Sequence, residues 1–167
     1  TDLGSWLDRQ PEGWLAEVRV VATDLAESYR AGLDGRLDHA IRVADPFHVV
    51  RLGNRCLDKV RRRVQNATLG HRGRKADPLY RIRNILRAGA ENLTDRQNAR
   101  LAAAWAADER HLEVEVAWRC AQQVRSAYHH DTHAAGRVVA EKILESFTSC
   151  PIPEVARLGR TLKQWRT

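Results

Sequence analysis

Two short β-branched runs, each halted by an aspartate and separated by one helix length, constrain this chain more than anything else in it. The first is Val20-Val21-Ala22-Thr23-Asp24, and the second is Ile41-Arg42-Val43-Ala44-Asp45-Pro46-Phe47-His48-Val49-Val50. The stretch between them reads as a helix, so the whole is a strand-helix-strand unit. Such a unit joins parallel strands by a right-handed crossover. Parallel strands deliver both aspartates to the same carboxyl edge, where open α/β sheets bind their ligands. Neighbouring strands lie ~4.8 Å apart. Carboxylates at that spacing repel each other unless a cation is nearby, so one reading is a divalent-metal site at Asp24 and Asp45. The other is that each aspartate caps the helix after it. Asp45-Pro46 suits that role, because an N-cap Asp followed by Pro at the first helical position is a common helix start.

After Asp45 no strand-like alternation of any length recurs. The helix opened by Pro46 carries an apolar stripe, Val49, Gly53, Cys56, Val60 and Val64, while Arg51, Arg55 and Arg62 fall on another face. Asn66 to Asp77, with one strong hydrophobe and two glycines, reads either as a flexible basic loop that orders on DNA or as a plain interhelical connection. From Asp77 onward the pattern predicts helices throughout. Asp77-Pro78 opens one that ends near Gly89, and Thr94 with Gln97 forms a capping box for the next. Others span about Glu109 to Tyr128 and Thr132 to Phe147, with Asp131 as an N-cap, and Pro153 opens the last. Trp105, Trp118 and Trp165 sit in helical seams as core residues. The predicted class is α/β to mostly α: the edge of a parallel sheet followed by a helical array, without internal repeats.

Charge is concentrated rather than spread. The net charge is +7, yet twelve basic residues face only Asp58 and Asp77 between Arg51 and Arg87, which leaves the remainder slightly acidic. Such a focus suits a polyanion partner bound in a salt-sensitive way, although a solvated arginine-rich helix face has the same composition. His129-His130-Asp131-Thr132-His133 has zinc-like spacing, but an N-cap at Asp131 would leave His129 outside the helix. Cys56, Cys120 and Cys150 show no Cys-x-x-Cys pair, which predicts free thiols and a reducing cytoplasm. No apolar run approaches the ~20 residues of a membrane span.

The string from Val20 to Arg63, including Asp24-Leu25-Ala26-Glu27-Ser28-Tyr29-Arg30-Ala31-Gly32-Leu33, Asp45-Pro46-Phe47-His48 and Leu57-Asp58-Lys59-Val60-Arg61-Arg62-Arg63, resembles the ISL3 family of bacterial insertion-sequence transposases. The likeness continues through Gly70-His71-Arg72-Gly73-Arg74-Lys75, Asp77-Pro78-Leu79-Tyr80, Ala117-Trp118 and Pro153-Glu154 to Leu158-Gly159-Arg160-Thr161-Leu162 and Trp165, nearly the whole chain. It implies a partial RNase H-like catalytic core in 1–50 and a helical insertion in 51–167, with a basic DNA-contacting segment in 51–87. It also implies metal-dependent DNA transposition by an acidic triad. Asp24 falls on the second triad aspartate and so on a metal ligand, while Asp45 and His48 match an Asp-x-x-His signature and act as organisers of the strand-to-helix junction. Two Mg2+ (or Mn2+) ions would activate water or a DNA 3′-hydroxyl and stabilise the leaving oxygen.

In the family the first triad aspartate precedes this region and the glutamate follows the Trp165 region. With no methionine and no helix-stopping glycine or asparagine after Trp165, the chain reads as an internal or truncated segment, inactive alone. Its expected partner is double-stranded DNA, at transposon ends and target, contacted by Arg51, Arg55, Arg62, Arg72, Arg74, Lys75 and Arg81. The intact enzyme would be a homo-oligomer. The competing class is a non-catalytic DNA-binding or oligomerisation helical module. A complete small metallohydrolase is poorly supported by only two aligned acids.

Overall fold

The computed structural model describes residues 2–165, apart from the His133 side chain. The chain divides into two compact units, one built on Thr1–Val49 and the other on Val50–Gln164.

The first unit holds α1 (Leu3–Leu7), α2 (Glu12–Glu17), β1 (Val20–Thr23), α3 (Glu27–Leu33) and β2 (Ile41–Ala44). The two strands pair in parallel, Val20 opposite Ile41 through Thr23 opposite Ala44. The Asp45 amide donates to the Thr23 carbonyl at 2.9 Å, carrying the ladder one step further. The strand-helix-strand reading therefore holds. What the sequence did not announce is the pair of short helices before it, the first capped by the Asp2 carboxylate, which accepts from the Ser5 amide at 2.8 Å. A small core of Leu7, Leu33, Leu37 and Ala40 takes in Leu3, Leu15, Val18 and Val21. A methyl group at Gly32 would lie 3.1 Å from both the Gly4 amide nitrogen and the Leu3 Cβ, so α1 and α3 touch backbone to backbone. Alternation along the strands buries one face only partly and leaves Val20, Ile41 and Val43 exposed, with Ile41 at 67% and the following Phe47 at 68%.

In sequence, α4 (Pro46–Leu69) comes next, and the boundary between the units falls inside it. The second unit continues with α5 (Pro78–Arg81), 3-10 turns at Ile85–Arg87 and Ala90–Asn92, α6 (Asp95–Ala106), a 3-10 turn at Glu109–His111, then α7 (Leu112–Ser126), α8 (His133–Thr148) and α9 (Pro153–Gln164). The apolar stripe of α4 is buried as its spacing predicts, with Val60 and Val64 inaccessible. Gly53 lets α4 approach α7: a Cβ there would meet the Ala121 Cα at 3.6 Å and Val124 at 3.7 Å. Arg63 ties the same helix to two others by donating to Glu113 at 2.6 Å and to Glu154 at 2.7 Å. Thr94 and Gln97 close the capping box on α6.

Three expectations need correction. Helix α4 runs to Leu69, so the basic loop begins at Gly70 rather than Asn66. The helix opened by Pro78 stops after one turn. From there 3-10 turns carry the chain on: the Tyr80 carbonyl accepts from the Arg83 amide at 3.3 Å and from Arg83 Nη1 at 2.9 Å, and half-buried Gln122 holds the next turn, its amide donating to the Ala88 carbonyl and its oxygen accepting from the Ala90 amide, each at 3.0 Å. Finally, Thr132 and not Asp131 caps α8, accepting from the Ala135 amide at 3.2 Å. No helix among the described residues is long and apolar enough to cross a membrane.

Candidate functional site

Asp24 and Asp45 leave the carboxyl ends of adjacent parallel strands, one step beyond the Thr23–Ala44 pair. Their environments then diverge. Asp45 Oδ1 accepts from the Phe47 amide at 2.8 Å, capping α4, and Oδ2 lies 3.4 Å from His48 Nδ1. Burial alone would push the Asp45 carboxyl up, but the Phe47 amide and the His48 side chain outweigh it and hold it below its ordinary 3.8. His48 Nδ1 is shielded from solvent, and 3.4 Å from the carboxylate it makes no well-formed hydrogen bond. The Phe47 and His48 rings meet edge to face at 5.5 Å.

Asp24 caps nothing: Ala26 occupies the N-cap of α3, and no side chain bonds there. Its Oδ1 is buried with no hydrogen-bond partner. A buried, unpaired carboxylate oxygen is costly unless a donor or cation completes it. Even so, no three His, Cys, Asp or Glu side chains among the described residues are grouped so as to hold a metal ion. Mg2+ requires octahedral oxygen coordination. One open oxygen on Asp24 beside a carboxylate already engaged as a cap does not meet that need, so these residues are not a metal centre by themselves.

The basic segment of the second unit is sorted by structure into three kinds of residue. Arg61 is 4% exposed and serves the interior, donating to Asp58 at 2.7 Å and to the Gln65 side-chain oxygen. Arg63 is a structural tie, as described. The others are available at the surface. Arg62, exposed but paired with Asp58 at 2.8 Å, shares a cleft of about 420 Å³ with Arg72, Arg83 and Arg87. Lys75, Arg81, Arg83 and Arg100 line a second of about 440 Å³, together with Tyr80. Arg55 and Lys59 line a third of about 440 Å³ with Arg157. Arg51 and Arg74 are exposed and line none of the three. Of the cleft residues, Arg83, Arg87 and Lys59 fall in the basic segment without being singled out as contacts, and Arg100 and Arg157 escaped the sequence reading. The available signal for the first was Tyr80 three residues earlier, the helical spacing that stacks an arginine on a ring; its guanidinium carbon lies 4.1 Å from the Tyr80 centroid.

The loop from Gly70 to Asp77 is bonded in place rather than left to order on a ligand. The Gly73 amide donates to His71 Nδ1 at 3.1 Å, Asp77 Oδ2 accepts from the Arg74 amide, and that carboxylate lies 3.6 Å from His71. Asp77 thus folds back on the loop and gives α5 no side-chain cap. Elsewhere, His129 and His130 are exposed and precede α8, which removes the helical zinc geometry; the His133 side chain falls outside the described residues. The three cysteines are free thiols, and Trp105 packs on Trp118 at 6.5 Å.

A family model for DDE transposases of the ISL3 type, described as "Transposase", matches residues 1–167. The chain belongs to that family. It is 27% identical over 184 residues to the "Transposase for insertion sequence element IS1557" of Mycobacterium tuberculosis strain CDC 1551 / Oshkosh, and equally so to the protein of that name from strain ATCC 25618 / H37Rv. Each alignment covers 98% of this chain and 40% of the relative, so the chain spans about two-fifths of the length of these proteins. No solved structure matches it.

Proposed function

We propose that this chain is a segment of a transposase that cleaves and joins DNA with the help of divalent ions, its first unit belonging to an RNase H-like core and its second binding duplex DNA at transposon ends and target. The observation that carries the catalytic half is the buried, unpartnered Asp24 Oδ1 at the carboxyl edge of a parallel strand pair. Asp24 would supply one ligand to Mg2+ or Mn2+, whose remaining ligands lie outside the described residues. Asp45 and His48 fix the start of α4 beside it and so hold the edge in shape. On this reading the intact enzyme acts as a homo-oligomer.

The DNA half is supported by surface arginines and lysines gathered into clefts with few acids. Phosphate contacts position a protein without reading bases, so binding should vary little with sequence. A non-catalytic DNA-binding module remains the second reading, favoured by the lack of a three-donor metal cluster among the described residues.

The test uses the chain itself with supercoiled plasmid and Mg2+ or Mn2+. It should bind DNA and leave it intact, because an incomplete ligand set cannot position the ions. Metal-dependent nicking abolished by Asp24→Asn would show a complete active centre and overturn the segment reading.

A further inference from the structure

Two of the cationic clefts share a wall, and that wall is one stacked pair. Tyr80 and Arg83 line both the cleft of Arg62, Arg72 and Arg87 and the cleft of Lys75, Arg81 and Arg100. We propose that these clefts are adjoining seats for successive phosphates of one DNA strand, with Arg83 contacting both phosphates and Tyr80 positioning it. The proposal rests on the DNA-binding reading above.

The charge argument is local. The acid in the first cleft, Asp58, is already shared by Arg61 at 2.7 Å and Arg62 at 2.8 Å, so Arg72, Arg83 and Arg87 add charge there without a counter-acid. The second cleft has no acid among its lining residues. Concave surfaces of one sign concentrate the field, and no aliphatic residue lines either cleft, whereas a small-molecule pocket is mostly hydrophobic. Adjoining anion seats without an apolar pocket suit a repeating polyanion better than a lone nucleotide.

The seats are also pre-shaped. Arg83 lies on the Tyr80 ring at 4.1 Å and donates Nη1 to the Tyr80 carbonyl at 2.9 Å, which fixes its planar fork while leaving other donors for ligands. Beneath the first cleft, Arg61 is 4% exposed and Gln65 fully buried, its Nε2 without a partner. Gly73 closes over them at φ +113°, where an added Cβ would run into the Gln65 amide and lie 2.9 Å from the Tyr80 ring. Only glycine satisfies both the backbone and the space.

The experiment titrates the full chain with a mixed-sequence duplex over a series of salt concentrations, with helicity checked for every variant. Each phosphate contact adds about 0.9 to the magnitude of the log–log salt slope. Arg83→Ala should therefore reduce it by about 1.8, and Arg87→Ala and Lys75→Ala by about 0.9 each. Arg119→Ala removes an exposed arginine paired with Glu115 away from the clefts, and should leave the slope unchanged. Arg83→Lys, which keeps the charge and loses the flat fork, should retain one of the two contacts; it carries the test if Arg83→Ala lowers helicity. Tyr80→Leu should weaken binding several-fold at constant charge. If Arg83→Ala changes the slope no more than Arg87→Ala does, the shared-seat proposal fails while DNA binding stands. If the unaltered chain shows no salt-dependent DNA binding, the DNA reading itself fails.

Discussion

Asp24 and Asp45 occupy equivalent places on neighbouring strands and do different work. Asp45 stabilises the fold: its carboxylate accepts the Phe47 amide, and its protonation is held below 3.8. A depressed acid contributes stability that is present above its unfolded value and is lost as pH falls through the folded value. Asp45→Ala should therefore lower the thermal midpoint at neutral pH, with the difference from the unaltered chain shrinking once pH drops below about 3.8. Asp24→Asn should leave the midpoint undiminished, because the buried Asp24 Oδ1 makes no hydrogen bond that the substitution would break. The thiols offer a second check. Burial, with smaller contributions from nearby charges, pushes Cys56 up to about 12 and Cys120 up to about 11 from 9.0. Unfolded thiols ionise first as pH rises, so stability should fall between about pH 9 and 12, and both residues should resist iodoacetamide at pH 8 in the folded chain. The two aspartates were legible because period-2 patterning places them at strand ends. The approach of Gly73 onto Gln65 was not, since it depends on contact between α4 and a loop eight residues away.

Elements were readable where local rules decide and unreadable where a distant side chain does. The α4 stripe follows from helical spacing alone, and the α6 start from Thr94 and Gln97. Beyond the break at Arg81, the later turn is pinned from outside the segment by Gln122 on α7, which bonds the Ala88 carbonyl and the Ala90 amide. Likewise, the α8 cap moved by one residue because Thr132, not Asp131, adopts the extended backbone that aims its oxygen at the Ala135 amide. Packing between α8 and α9 has its own narrow point. A Cβ at Gly159 would stand 2.7 Å from both the Phe147 Cβ and the Thr148 amide nitrogen, closer than van der Waals contact permits. Gly159→Ala should force the helices apart and destabilise the second unit by about 1–3 kcal/mol, read as an earlier urea midpoint. A midpoint at or above that of the unaltered chain would mean that the interface yields freely.

At the scale of the whole molecule, charge is segregated along the sequence. Positive residues gather in the second unit. In the first unit, Val20, Ile41, Val43 and Phe47 lie open to water beside a sheet of two strands. Strand residues that are apolar and uncovered, on a sheet with free backbone edges, template further pairing. Dilute preparations of the chain should therefore be monodisperse and concentrated ones should self-associate, as measured by light scattering, and Ile41→Lys should suppress the effect without loss of helicity. The practical corollary concerns shelf life more than catalysis: a bench stock of this polypeptide would be limited by clumping through four greasy residues, and a single solubilising substitution would make it tractable for crystallisation.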